Sequence, residues 1–166
     1  MSLINHIPAL QVLIPFFSAL FCALTFHKFT SWVIATISVI TNLIIALYGL
    51  QIIEHSQSYS FGNWQAPIGI EYSLDYLNQP IIIYINGVLL FFLLFGKQLI
   101  NKTITKYIDD KKHHMFYSLL LFAHAGYLGV LSTNDLFNFY VFLYVFAVSS
   151  VFPYLCIDLF TYLWKQ

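Results

Sequence analysis

Residues Ser132–Val145 read STNDLFNFYVFLYV, a polar turn followed by the start of a long apolar run. Asp135 precedes the run and stands three residues before Asn138. From that position a carboxylate accepts hydrogen bonds from the unpaired N–H groups of a helix start and complements the helix dipole. The pattern predicts a helix over 136–164 with Asp135 as its N-cap. This helix is longer than one membrane crossing needs, which favours a tilt or an interfacial end.

The composition of the whole chain indicates a membrane protein. Hydrophobic residues make up 60% of the chain, charged residues 8%, and the mean hydropathy is +0.77. So few charges do not cover a soluble domain of this size. A crossing takes about 20 apolar residues, and the runs are continuous rather than alternating, as helices require. The sequence predicts an all-α polytopic membrane protein, one membrane domain over 1–166, with five helices near 8–26, 32–53, 80–99, 115–132 and 136–164.

The distribution of basic residues predicts the orientation. The chain has seven lysines and no arginine, and positive residues stay on the cytoplasmic side. The predicted helices place every lysine on one face. The N-terminus and the loop 54–79 are therefore expected outside, and the C-terminus and the basic loop 97–114 in the cytoplasm. Anionic lipid is the expected partner of this loop. The lysines are Lys28, Lys97, Lys102, Lys106, Lys111, Lys112 and Lys165.

The remaining features of the sequence predict little chemistry. In the outer loop, Ile68, Ile70, Tyr72 and Leu74 alternate between turn residues, which predicts a small hairpin. His113 and His114 adjoin the basic loop and are interpreted as interfacial residues, since a metal site needs further ligands. Cys22 and Cys156 have no CxxC spacing and are interpreted as apolar core. We find no pattern for a metal, a cofactor, an enzyme active site or nucleic-acid binding.

Two polar stretches carry a family resemblance. The runs GNWQAPIGIEYSLDYLN (62–78) and DLFNFYVFLYV (135–145) resemble motifs of the D-type subunit of Mrp-type sodium/proton antiporters and of the related antiporter-like subunits of complex I. The chain departs from the family at Tyr144, where those subunits carry a glutamate. The resemblance implies a multi-pass protein of the bacterial plasma (inner) membrane and partner subunits in an antiporter complex.

Four residues are candidates for a proton path or a polar membrane role: His124, Asp135, Asn138 and Tyr144. Tyr144 lies nine residues beyond Asp135, about 13 Å deeper. A phenol ordinarily deprotonates near pH 10, so Tyr144 is interpreted as an aromatic packing residue that cannot replace the acid. Asp135 is interpreted first as a cap, with a role near a proton exit as the alternative.

The fourth predicted helix contains an ionisable residue among small ones. His124 is expected to be neutral and held by one interhelical hydrogen bond, with a proton relay as the alternative. Ala125 and Gly129 have small-xxx-small spacing, and Gly126 adds a second small surface. These three residues predict close helix packing.

The functional expectation follows from the extent of the resemblance. Full family members have about fourteen helices in inverted repeats, with lysine-bearing broken helices along the ion path. The chain is therefore expected to be a truncated or split subunit of a multisubunit monovalent cation/proton antiporter, inactive until a separate chain supplies the missing helices. The alternatives are a non-transporting structural or assembly membrane subunit, and a fragment of a complex I-like NADH dehydrogenase membrane subunit.

Overall fold

Five long helices and one hairpin make up the part of the chain that the computed structural model describes, residues 6–52, 57–60, 70–98, 100, 102 and 113–164. The side chains of residues 52, 57 and 152–164 are outside this description. The elements in chain order are α1 (Ile7–Leu24), α2 (Lys28–Ile52), β1 (Gln57–Ser60), β2 (Glu71–Leu74), α3 (Asn78–Phe95), α4 (His113–Ser132) and α5 (Leu136–Trp164).

The helices confirm the predicted all-α membrane fold. The helices α1 to α4 are each long and apolar enough to cross a membrane, and Leu136–Val151 of α5 form a shorter apolar stretch. The bounds of α5 agree with the prediction because its start is fixed locally by the polar turn. The helix α2 begins at Lys28, four residues earlier than predicted. Its polar first turn is held by Thr30 and Ser31, which both donate to the carbonyl of His27.

The helix α4 is the centre of the packing. It lies against α1 on one side and α5 on the other, while α2 packs between α1 and α3. Two apolar clusters stabilise the bundle, one at each end. The cluster near the hairpin comprises Ile7, Val12, Ala46, Tyr72, Leu74, Ile82 and Leu128. The cluster at the opposite end comprises Ala19, Cys22, Ala35, Val39, Leu93, Tyr117 and Leu121.

The predicted hairpin is present, with a partner strand that the sequence pattern did not reveal. The strands β1 and β2 pair antiparallel, with Gln57 opposite Leu74 and Ser60 opposite Glu71. Tyr72 and Leu74 are buried and Ile70 is exposed, while Ile68 lies outside the described residues. The end of the bundle that carries β1 and β2 is called the hairpin end below.

Lysines gather at the opposite end, called the lysine end below. The Lys97 Nζ lies 3.3 Å from the centroid of the Trp32 ring, and Trp32 Nε1 donates to the Leu93 carbonyl at 3.0 Å. These contacts join the end of α3 to the start of α2, so Lys28 and Lys97 lie at one end of the bundle. Lys106, Lys111, Lys112 and Lys165 lie outside the described residues.

The two histidines that were predicted in the basic loop belong to a helix instead. His113 and His114 begin α4 and both are buried. The rings of His114 and Phe26 meet edge to face with centroids 5.6 Å apart. Packing against the end of α1 extends α4 by two residues beyond the predicted start at residue 115.

Candidate functional site

The hairpin end is tied together by Asn78 at the start of α3. Its Nδ2 donates to the Ser73 carbonyl at 2.8 Å and to the Leu131 carbonyl at 3.2 Å. Its Oδ1 accepts from the Asp75 N–H at 2.7 Å. One amide side chain thereby joins β2, the start of α3 and the end of α4. This gives a physical role to the last residue of the 62–78 stretch that carried the family resemblance.

Backbone pairing extends β2 onto the turn between α4 and α5. Tyr72 forms an isolated antiparallel bridge with Thr133, and the Asn134 N–H donates to the Glu71 carbonyl at 3.0 Å. The Tyr72 ring also packs against Phe142 of α5, with centroids 6.0 Å apart. Burial raises the pKa of the Tyr72 phenol to about 12, because an apolar environment disfavours the phenolate. The hairpin therefore holds the α4–α5 turn by backbone bonds and by a neutral aromatic side chain.

Asp135 has the geometry predicted for an N-cap. Its Oδ1 accepts from the Phe137 N–H and its Oδ2 from the Asn138 N–H, both at 3.3 Å. The side chain therefore satisfies two of the N–H groups that a helix start leaves unpaired. These bonds account for an aspartate at this position without a role in proton transfer.

Asn138 lies one turn into α5 and is 7% exposed. Its Nδ2 is buried and has no hydrogen-bond partner in the described part of the chain. The sequence made Asn138 a candidate for a proton path or a polar membrane role, and in the structure it lies inside the bundle near the capped turn.

His124 pairs with a polar residue that the sequence reasoning did not select. His124 is 6% exposed and Asn86, on α3, is fully buried. The His124 Nε2 lies 3.1 Å from the Asn86 Oδ1, and the Asn86 Nδ2 donates to the Ile82 carbonyl at 2.8 Å. The expected interhelical hydrogen bond of His124 is present. Asn86 could have been found as a polar residue in the middle of an otherwise apolar span.

The hydrogen bonds fix the tautomer of His124. Because the Asn86 amide nitrogen donates to Ile82, the atom facing His124 is the amide oxygen, which only accepts. The His124 Nε2 must therefore carry the hydrogen. A neutral imidazole protonated at Nε2 presents Nδ1 as an acceptor. Among the described residues, the bond to Asn86 is the one hydrogen bond that His124 makes.

Two further buried amide side chains, Asn42 and Gln79, bond across the interior and were not singled out from the sequence. The Asn42 Nδ2 donates to the Gln11 carbonyl, and the Gln79 Nε2 to the Ala46 carbonyl, both at 2.7 Å. These bonds join α1 to α2 and α2 to α3. Interhelical bonds from amides stabilise helix contacts inside a membrane, where water cannot satisfy the backbone or the side chain.

Tyr144 does not lie inside the bundle. Its side chain is 71% exposed, so within the described residues it is not packed in the interior of the bundle. The reason is the rotation of α5: the face that meets α4 carries Phe142 and Phe146, and Tyr144 lies between them in sequence. No hydrogen bond within the described residues joins Tyr144, Asp135 or Asn138 to His124.

The small residues of α4 allow α5 to approach closely. A Cβ on Gly126 would lie 2.8 Å from the Phe146 nitrogen and 3.0 Å from the Phe142 carbonyl oxygen. A Cβ on Gly129 would fall among the ring atoms of Phe142. The predicted close packing is therefore confirmed, with Gly126 and Gly129 forming the surface against α5.

Comparison with known proteins relates this fold to membrane antiporter subunits. No family model matches the chain. The D-type subunit of the Na(+)/H(+) antiporter of Alkalihalophilus pseudofirmus is 31% identical over 155 residues, covering 88% of this chain and 29% of that protein. The N-type subunit of the NADH-quinone oxidoreductase of Desulforudis audaxviator is 31% identical over 151 residues, covering 87% of this chain and 29% of that protein.

Solved structures show the same arrangement of helices. A chain of the Mrp complex from Dietzia sp. DQ12-45-1b matches with a TM-score of 0.71 and 18% identity, over 90% of this chain and 27% of that one. A chain of the membrane-bound sulfane sulfur reductase, an archaeal respiratory membrane complex, matches with a TM-score of 0.67 and 21% identity, over 90% of this chain and 29% of that one.

The fold and the relatives together define the class: the chain is a multi-pass membrane protein of the antiporter-like type. More narrowly, it belongs to the family of the D-type subunits of sodium/proton antiporters and the related N-type subunits of NADH-quinone oxidoreductases. It spans 29% of the length of each of the two relatives above. The resemblance drawn from the 62–78 and 135–145 stretches is confirmed.

Proposed function

We propose that the chain is a subunit of a multisubunit monovalent cation/proton antiporter in which these helices serve assembly, while the proton-carrying acid comes from another polypeptide. The observation that carries the proposal is the exposed phenol of Tyr144 at the position of the family's glutamate. A phenol is not a carboxylic acid, and this one faces away from the interior of its own bundle.

The described helices offer little else for proton transfer. Their side chains over 7–24, 29–51, 78–95, 113–132 and 136–151 include no aspartate, glutamate or lysine. His124 is held by Asn86 and has no acid beside it among the described residues. Transport by these residues alone therefore lacks a carboxylate inside the membrane.

The exposed side of α5 is the surface that we assign to assembly. Within the described residues this helix packs chiefly on α4, and it leaves a row of large side chains exposed at spacings of three and four residues. Residues at these spacings lie along one face of a helix, and this is the face that we assign to assembly. Its members are Phe137, Tyr140, Tyr144, Val148 and Val151.

Reconstitution tests this function directly. The purified chain in liposomes should show no sodium-dependent proton exchange by a pH-sensitive dye, whereas monensin added to the same vesicles should produce exchange. Tyr144→Phe and His124→Gln should leave the trace unchanged. Sodium-dependent exchange by the chain alone that disappears in His124→Gln would refute the proposal and assign the proton path to the histidine.

A subunit of an NADH-quinone oxidoreductase is the second candidate, supported by the relative from Desulforudis audaxviator. Affinity purification of the tagged chain from its native membrane distinguishes the two. Antiporter subunits among the co-purified proteins support the first candidate. NADH-dependent quinone reduction in the purified complex would favour the second and overturn the antiporter assignment.

We further propose that the chain lies in the bacterial plasma membrane with its lysine end in the cytoplasm, since positive residues are retained there. Anionic lipid headgroups are the proposed partners of this end. In a chain without its two cysteines, Ser58→Cys in β1 should react with a membrane-impermeant maleimide on whole cells, and Lys102→Cys only after lysis. The reverse pattern would invert the topology.

A further inference from the structure

A groove of about 460 Å³ separates α3 from α5, with α4 at its base. Its walls are mainly aliphatic and aromatic, and His124 is among the side chains that line it. A volume of this size is in the range of small-molecule sites, which are typically apolar with a few polar groups that fix the ligand. The apolar walls include Val88, Leu89, Phe92, Leu120, Ala123 and Phe146.

The groove lies in the hydrocarbon region. Its lining residues on α3 run from Tyr84 to Phe92, six to fourteen positions beyond Asn78. At 1.5 Å per residue they are roughly 9 to 21 Å from the hairpin end of the helix. A membrane interior is about 30 Å thick, so phospholipid headgroups do not reach this depth. A polar group that meets the groove must belong to a molecule dissolved among the acyl chains or to another protein.

The polar lining of the groove consists of His124 and the hydroxyl-bearing side chains of Tyr84, Tyr127 and Ser150, and His124 supplies an acceptor whose tautomer is defined. The bonds through Asn86 require the hydrogen of His124 to be on Nε2, which makes Nδ1 an acceptor in the neutral ring. No described residue donates to it. In an apolar environment an acceptor without a partner is costly, and pairing it recovers that free energy.

We propose that this groove binds a neutral, membrane-dissolved small molecule with an apolar body and one hydroxyl group, and that the hydroxyl donates to His124. At His124 Nδ1 the groove selects a donor rather than a carbonyl or an ether. The volume suits a small molecule, whereas a complete helix is about 10 Å wide. This site is separate from the exposed face of α5 assigned to assembly.

The test uses the full chain in phosphatidylcholine nanodiscs and a diazirine-bearing 1-decanol as photoreactive probe. Mass spectrometry of cross-linked peptides should locate the label on the segments of α3 and α4 that line the groove. Unlabelled 1-decanol should then displace the probe about two- to tenfold better than decyl methyl ether, the fold-change expected of one hydrogen bond. The two competitors have similar apolar bodies, and the ether has no donor.

Two kinds of variant distinguish the contribution of the space in the groove from that of the hydrogen bond to His124. Ala123→Trp fills the groove and should abolish labelling, whereas Ala147→Trp, at an exposed position of α5 outside the groove, should leave labelling intact. His124→Phe removes the acceptor and should equalise the alcohol and the ether. His124→Gln can donate to Asn86 and still accept, so it should retain part of the preference.

Three outcomes would overturn the proposal. Equal displacement by alcohol and ether in the wild-type chain would identify a groove for acyl chains only. Label spread over the exposed face of α5 would show partition without a site. Labelling that survives Ala123→Trp would place the probe elsewhere. The wild-type comparison and Ala123→Trp do not depend on whether the His124 variants fold.

Discussion

Replacing Gly126 by alanine tests the close approach of the α5 backbone to α4. The added Cβ would lie 2.8 Å from the Phe146 nitrogen, 3.0 Å from the Phe142 oxygen and 3.1 Å from the Phe146 Cα. All three atoms belong to the backbone of α5, so a side-chain rotation cannot relieve the clash. The helix α5 must move away from α4 for the methyl group to fit.

Gly87→Ala is the matched control, because Gly87 lies in α3 and a Cβ there would have no neighbour within 4 Å. Both substitutions gain roughly 0.5 to 1 kcal/mol from the better helix propensity of alanine. Overpacking costs about 1 to 3 kcal/mol and applies to Gly126 alone. The gain in helix propensity is the same in both variants, so it cancels when their free energies of unfolding are compared. Gly126→Ala should therefore be less stable than Gly87→Ala by about 1 to 3 kcal/mol.

The free energy of unfolding in mixed micelles of dodecyl maltoside and SDS measures this difference, with circular dichroism as the signal. Gly87→Ala should be as stable as the wild type or more so. Equal free energies of unfolding for the two alanine variants would mean that α4 and α5 do not approach as described, and the assignment of Gly126 to their interface would be wrong.

Three other perturbations test the same structure. Gly129→Ala should destabilise the chain, and Phe142→Leu should restore part of the loss, because the clash there is with the Phe142 ring; an additive double variant would contradict this. Asn78→Ala should cost about 1.5 to 4.5 kcal/mol for its three hydrogen bonds, whereas Asn134→Ala, at an exposed position, should cost little in the same unfolding assay. Equal losses in the free energy of unfolding for the two variants would show that Asn78 does not hold β2, α3 and α4 together. In a spectrophotometric titration, Tyr72→Phe should remove a phenolate that forms near pH 12 rather than 10; a lost signal centred near 10 would mean that Tyr72 is solvated.

The alternation of apolar residues predicted one strand of the hairpin and not the other. The alternation of Tyr72 and Leu74 predicted a strand, and both residues are buried in β2. The partner, Gln57–Ser60, is polar and has no apolar alternation of its own. Its Tyr59 ring meets the ring of His6 edge to face, with centroids 5.3 Å apart, a contact between residues far apart in the chain that the sequence of β1 did not signal.

Helix starts and ends were predictable where a local feature fixed them. Asp135 caps α5 with its own carboxylate, and the predicted start was correct. At α2 the apolar run begins at Trp32, whereas the helix begins at Lys28 because Thr30 and Ser31 bond back to His27. Hydropathy identifies the apolar part of a helix, and side-chain bonds extend it beyond that part.

The sequence by itself determined that the chain crosses the membrane as helices, because run length, continuity and charge are local properties that the hydrocarbon region imposes on each segment. Only the tertiary structure decided the rotation of each helix about its axis. That rotation brought Asn86 to His124 across 38 positions, set Gly126 against the backbone of α5 and left Tyr144 exposed. In a segment that is apolar on all sides, no hydrophobic stripe marks the buried face, so the contacts between helices select it.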